Sequence, residues 1–151
     1  MPTSNEIQKE RIREIEQAAT ELLGRSDTVA LASVNEQGYP RVCTVTKIRA
    51  SGFREMWFMT SRRSELNGKA VHFAKNPRAS VCYTSGGDTV TLIGEVRMVE
   101  DVEEKRQFAQ DCDRRFFKDG VESPRCVILH FRAIEATFWI GGKFRTVKYK
   151  L

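Results

Sequence analysis

Apolar residues recur along this chain with two different periods. Near the start, Ile12, Ile15, Ala19, Leu22 and Leu23 fall on one face at helical spacing, which predicts an amphipathic helix. Thr3 and Glu6 have the spacing of a capping box at its beginning, and Gly24 is placed to end it. The period then shortens to two. TVALASV (28–34) and PRVCTVTKI (40–48) read as strands joined through NEQGYP, where Gly38 can take a positive φ. Gly52 marks a second turn before REMWFMT (54–60), completing a meander. In SRRSELNGKAVHFAKNP, Leu66, Ala70 and Phe73 return to helical spacing until Pro77 stops it. ASVCYT (79–84) and TVTLIGEVRMV (89–99) are strands around SGGD, with Gly94 as a candidate bend or bulge. A helix is predicted from Asp101 through Phe108, Cys112 and Phe116 to a stop at Gly120. CVILHFRAIEATFWI (126–140) is a long strand, and GGKFRTVKYK follows as a hairpin partner.

About six strands with short turns would leave long exposed edges in one flat sheet, and a closed or partly closed barrel removes them. The expected fold is therefore α+β, a single domain over residues 1–151 with an antiparallel β-barrel at its core and flanking helices.

Composition narrows the function classes. With 151 residues, 40% hydrophobic and 30% charged, the balance is that of a globular domain. MPTSNEIQKERIREIE contains no apolar signal segment, and no apolar run reaches membrane-spanning length, so a cytoplasmic address is expected. Cys43, Cys82, Cys112 and Cys126 lie far apart, and only His72 and His130 could join them, so no metal site is expected and the thiols read as buried and structural. Neither histidine has a carboxylate or nucleophile near it in sequence, which favours structural or surface roles for both. The net charge of +5 is mixed in sign along the predicted helices and concentrates in RRSELNGK and KFRTVKYK. That pattern suits local anion binding better than a nucleic-acid footprint.

The order and spacing of PRVCTV, WFMT, GKAVHFAKNPRASVCY, TVTLIGEVRMV and FWIGGKFR resemble the pyridoxamine 5′-phosphate oxidase-like FMN-binding split barrels. The resemblance runs from about residue 28 to the C-terminus and looks closest to the general-stress-protein branch. It implies FMN as cofactor and a homodimer as the working unit. Residue by residue, Arg41 matches the arginine that meets the FMN phosphate, and Val42, Cys43, Thr44 and Val45 match the strand beside the isoalloxazine. Met59 and Thr60 match a pair whose backbone and hydroxyl contact the flavin, and Lys69 a second basic residue facing the phosphate, while Thr89 replaces a flavin-contacting glutamine. Trp139 and Arg145 match residues that the partner subunit brings to the ring and substrate. A phosphate monoester is nearly dianionic, which suits an arginine fork and a lysine point charge. A helix start near Ser61–Ser64 would add N–H donors.

The departures concern the substrate. The authentic oxidases carry lysine at the position of Thr46, histidine at Val147, arginine at Tyr149, and a tyrosine, arginine and serine set that residues 101–118 do not reproduce. The expected function is thus an FMN-dependent oxidoreductase or reductase of unknown substrate, using a small-molecule electron donor such as NAD(P)H, and not a pyridoxamine 5′-phosphate oxidase. A flavin-binding stress or sensor module without turnover remains an alternative, as does a barrel adapted to deazaflavin or haem.

Overall fold

The computed structural model describes residues 1–62, 68–112, 114–115 and 117–151. Helix α1 spans Ser4–Gly24, and both hydrogen bonds of the predicted capping box form between Thr3 and Glu6. The strands are β1 (Thr28–Val34), β2 (Pro40–Ser51), β3 (Glu55–Ser61), β4 (Arg78–Ser85), β5 (Asp88–Val99), β6 (Cys126–Ile140) and β7 (Lys143–Lys148). Helix α2 (Lys69–Lys75) lies between β3 and β4, and helix α3 (Val102–Arg106) between β5 and β6.

All pairings are antiparallel, in the order β3-β2-β1-β4-β5-β6-β7, and a further pairing of β3 with β6 closes six strands into a barrel. Strand β7 hangs outside the closure, paired only to β6. Alternation decides what fills the barrel: Val29, Leu31, Val81, Tyr83, Val90, Leu92, Phe131, Ala136 and Phe138 point inward and are buried. Ala19, Leu22 and Leu23 of α1 join the same core. A smaller core of Val99, Phe108, Val121 and Ile128 lies elsewhere, with Ile48, Trp57, Met59 and Cys112 packed against it. It explains why Cys126–Leu129 are buried on both faces of β6.

Two glycine expectations hold for stated reasons. Gly38 has φ +86° in the β1–β2 turn. At Gly94 the β5–β6 register shifts, leaving Ile134 without a β5 partner, and a Cβ there would stand 2.1 Å from the Arg132 carbonyl oxygen.

Three expectations are corrected. The helix over 101–118 reduces to the five residues of α3, followed by isolated 3₁₀ turns at Ala109–Asp111 and Gly120–Glu122. Phe108 and Cys112 pack in an irregular cover over the second core, Phe116 falls outside the described residues, and Gly120 opens a turn rather than stopping a helix. Ser61 ends β3 and α2 begins only at Lys69, so no helix start lies at Ser61 or Arg62; Ser64 and Leu66 fall outside the described residues. The cysteines are not uniformly buried: Cys43 is exposed, Cys82 and Cys112 are half-buried, and only Cys126 is interior.

Candidate functional site

The barrel is not zipped along its whole length. Pairing of β2 with β3 stops at Lys47 and Phe58, past a register shift, although β2 extends back to Pro40 and β3 forward to Ser61. Among the described residues, residues 40–46 of β2 therefore pair with β1 on one edge only, and residues 59–61 of β3 pair with β6 on one edge only. Two strand edges without a ladder partner among the described residues face the split.

Alternation sorts the side chains along the free part of β2. Arg41, Cys43 and Val45 share the face of their β1 partners Ser33, Leu31 and Val29, which point into the barrel. Val42 and Thr44 point outward with Ala32 and Ala30. Arg41 and Cys43 remain exposed despite facing inward, because the split leaves that stretch uncovered. On β3, Thr60 shares the inward face of Met56 and Phe58. The Met59 side chain takes the other face and belongs to the second core, so only its backbone edge faces the split.

Lys69, the first residue of α2, is buried, and its Nζ donates to Ser33 Oγ at 2.9 Å and to the Arg41 carbonyl oxygen at 2.7 Å. The Cys43 thiol is a further partner of this ammonium. Burial pushes the Lys69 pKa down, the Cys43 thiol opposes that shift, and the Arg41 charge adds to it. Ser33 Oγ in turn lies 2.7 Å from His72 Nδ1. The structure thus brings Arg41 and Lys69 to one end of the free edge, with two cations close enough to act on each other.

Thr89, Trp139 and Arg145 do not join them within one chain. Thr89 pairs with Trp139, Trp139 with Phe144, and Phe138 with Arg145, so the three sit together at the β5–β6–β7 end. Tracing the ladder from Thr137 through Thr91, Cys82 and Ala30 reaches Thr44. Trp139 lies two residues beyond that level and Arg41 three residues on the other side, about 16 Å along the strands. Arg145 donates to Gln8 Oε1 of α1, and Thr89 to Thr84 Oγ1.

Both histidines have partners that sequence proximity did not reveal. His72 meets Ser33, and His130 stacks on Trp57 with ring centroids 4.5 Å apart while its Nε2 lies 3.2 Å from Glu55 Oε1. Burial holds His130 below its ordinary pKa despite Glu55. Ser33 and His72 were missed as site residues. The available signals were a lone hydroxyl on the apolar face of β1 and the i, i+3 spacing of Lys69 and His72.

A family model described as pyridoxamine 5′-phosphate oxidase matches residues 15–140. The chain belongs to this family. Among solved structures of the same fold, a protein from Clostridium acetobutylicum related to general stress protein 26 superposes with a TM-score of 0.78 at 19% identity, covering 89% of this chain and 94% of that one. General stress protein 26 of Bacillus anthracis gives 0.68 at 17% identity, covering 89% and 99%. A heme binding protein of Mycobacterium smegmatis gives 0.68 at 18% identity, covering 89% of this chain and 57% of that one. A sequence search of curated proteins found no match. Family membership fixes the split barrel, not the reaction, since folds of this kind carry different ligands. Among the described residues no cluster of His, Cys, Asp or Glu could hold a metal ion, and no helix is long and apolar enough to cross a membrane.

Proposed function

We propose that this chain binds FMN at the split and acts as a flavin-dependent oxidoreductase, in a homodimer, on a small molecule other than pyridoxamine 5′-phosphate. One observation carries the reading: where β2 parts from β3, a free strand edge ends in two cations, Arg41 and the pinned ammonium of Lys69. A flavin mononucleotide has matching parts in the same order. Its ring edge needs backbone donors and acceptors, and its phosphate needs fixed positive charge. Arg41 and Lys69 would hold the phosphate. The backbone from Val42 to Val45, the Met59 backbone and the Thr60 hydroxyl would line the ring. FMN, when bound, supplies hydride chemistry, and the chain's own groups bind, orient and shield it.

The outer face supports the dimer. The row Val42, Ala32, Ser80 and Ile93 crosses four strands without a charge, and Val42 (69%), Ile93 (46%), Trp139 (47%) and Phe144 (68%) are exposed in the single chain. A second copy on this face would carry its Trp139, Arg145 and Thr89 toward a split that lacks them. Two of the positions that depart from the authentic oxidases are already engaged: the Tyr149 hydroxyl bonds Glu16 and Arg54 covers its ring, while Val147 packs on the core. That argues against pyridoxamine-phosphate oxidation.

The haem alternative has one favouring observation, the likeness in fold to a heme binding protein. Against it, His72 Nδ1 is engaged with Ser33 and His130 Nε2 with Glu55. Absorption of the purified protein, with mass spectrometry of the released cofactor, tests these readings. Flavin bands and the FMN mass support the proposal, whereas a Soret band or a deazaflavin mass replaces it. Anaerobic reduction by NAD(P)H, followed by timed reoxidation, then separates an enzyme from a flavin-binding stress or sensor module.

A further inference from the structure

Lys69, Ser33 and His72 are 9%, 1% and 3% exposed and form one chain of contacts behind the proposed phosphate position. The protons along it can be counted. The Lys69 ammonium has only donors, so Ser33 Oγ accepts from it. Ser33 keeps a second lone pair and one proton, so across its 2.7 Å contact with His72 Nδ1 it donates to a bare nitrogen or accepts from Nδ1–H, according to the tautomer. A neutral His72 meets Ser33 in either tautomer, whereas an imidazolium always donates from Nδ1. Burial holds His72 below its ordinary pKa, the Lys69 and Arg41 charges add to this, and Glu36 opposes it. These groups come from α2 itself, from β2 and from the β1–β2 turn, where Glu36 is also paired to Lys75.

We propose that Ser33 and His72 form a proton-sensitive seat for the Lys69 ammonium, so that a phosphate monoester binding beside Lys69 and Arg41 draws a proton from solvent onto His72. The inference rests on the anion site of the proposed function and goes beyond it by making phosphate affinity proton-linked. A dianion at Lys69 and Arg41 offsets the two positive charges that disfavour imidazolium. As imidazolium, His72 carries a proton on Nδ1 and donates it to Ser33 Oγ, which accepts from both neighbours and whose own proton is free to turn. Ser33 and His72 are positioning residues, since they reach the ligand only through Lys69.

The experiment measures dissociation constants for FMN and riboflavin from pH 5.5 to 8.5 in the parent, Ser33→Ala, His72→Ala and His72→Asn. Asparagine places an acceptor near the position of Nδ1 but does not titrate. Ser33→Ala is expected to weaken FMN about tenfold while changing riboflavin less than twofold, and His72→Asn to recover part of what His72→Ala loses. Dividing the FMN constant of His72→Asn by that of the parent cancels the titration of the FMN phosphate itself. That ratio is expected to grow about tenfold from pH 8.5 to 5.5 for each unit by which binding raises the His72 pKa. A flat ratio overturns the linkage, and an unchanged FMN constant in Ser33→Ala overturns the seat. If the parent binds neither flavin, the flavin reading falls separately. Inorganic phosphate then serves as probe: a His72 pKa, followed by NMR, that phosphate raises sustains the linkage, and one that it leaves unmoved ends it.

Discussion

Replacing Arg41 with alanine isolates the phosphate contact from the fold. The Arg41 side chain is exposed at the start of β2 and makes no hydrogen bond among the described residues. What Lys69 holds is the Arg41 backbone carbonyl, which alanine keeps. Stability of the free protein should therefore change by less than about 0.5 kcal/mol, as for other surface positions. A bidentate arginine–phosphate contact has two charge-assisted hydrogen bonds of roughly 1.5–3 kcal/mol each. Part of this is returned because Arg41 is well hydrated in the free protein, leaving about 2–4 kcal/mol, or roughly 30- to 1000-fold in FMN affinity. Riboflavin, which lacks the phosphate, should bind parent and variant alike. Thermal melts give an independent reading. FMN at one hundred times the parent Kd adds about 2.7 kcal/mol of stability, a Tm rise of roughly 5–11 °C for a chain of this size. In a variant weakened about a hundredfold, the same concentration adds about 0.4 kcal/mol, a rise of roughly 1–2 °C. Equal FMN constants for parent and Arg41→Ala, by fluorescence quenching, would refute the phosphate site and the reasoning that assigns it.

Further outcomes follow from other parts of the structure. Gly94→Ala should cost about 3 kcal/mol, roughly 6–12 °C in Tm by calorimetry, because its Cβ would meet the Arg132 carbonyl at 2.1 Å; a variant that melts with the parent would show that the β5–β6 bulge can open. Both histidines are held below their unfolded pKa, so the stability linked to them is present above about pH 6.5 and lost as the pH falls through their folded values; urea midpoints should drop on that side, and less so in His72→Asn. Iodoacetamide followed by mass spectrometry should label Cys43 first and Cys126 last, since burial pushes the Cys126 thiol up to about 11, and FMN should protect Cys43. Val42→Asp should shift sedimentation toward monomer by charging the centre of the proposed dimer face, where an interface of well over about 1,000 Å² is needed; an unchanged dimer would move the interface elsewhere.

The parts of the fold that local patterning controls were legible. Alternation in TVALASV and CVILHF, the Thr3–Glu6 cap and the glycines at 38, 52 and 94 each report a constraint set within a few residues, and each element formed. The segment after Asp101 was not legible for a physical reason. Phe108 and Cys112 have the i, i+4 apolar spacing that a helix would use, yet together with Val121 they are gathered by the outer surface of β6 through turns. Burial against a sheet can select the same apolar positions without a helix, and five residues of α3 with good caps do not propagate further. The thiols were misread for a related reason. Cys43 occupies an inward-facing strand position, and only the parting of β2 from β3 exposes it.

The site divides along the same line. Arg41 and Lys69 could be carried over singly, but their relation could not, because it depends on a contact between the β2 backbone and the first residue of α2. That contact also changes the expected behaviour of Lys69. As a flexible ammonium it would make the weaker of the two phosphate contacts. Held by Ser33 and the Arg41 carbonyl, it has already lost most of its side-chain freedom in the free protein, so binding an anion costs it little further entropy. Lys69→Met should then weaken FMN about as much as Arg41→Ala does, again sparing riboflavin. The same variant removes a desolvated charge and two hydrogen bonds together, so its effect on the free protein should stay within about 1 kcal/mol. A Lys69→Met protein that binds FMN within threefold of the parent would mean that the ammonium is a structural strut between β1, β2 and α2. The anion site would then reduce to the bidentate contact of Arg41 alone.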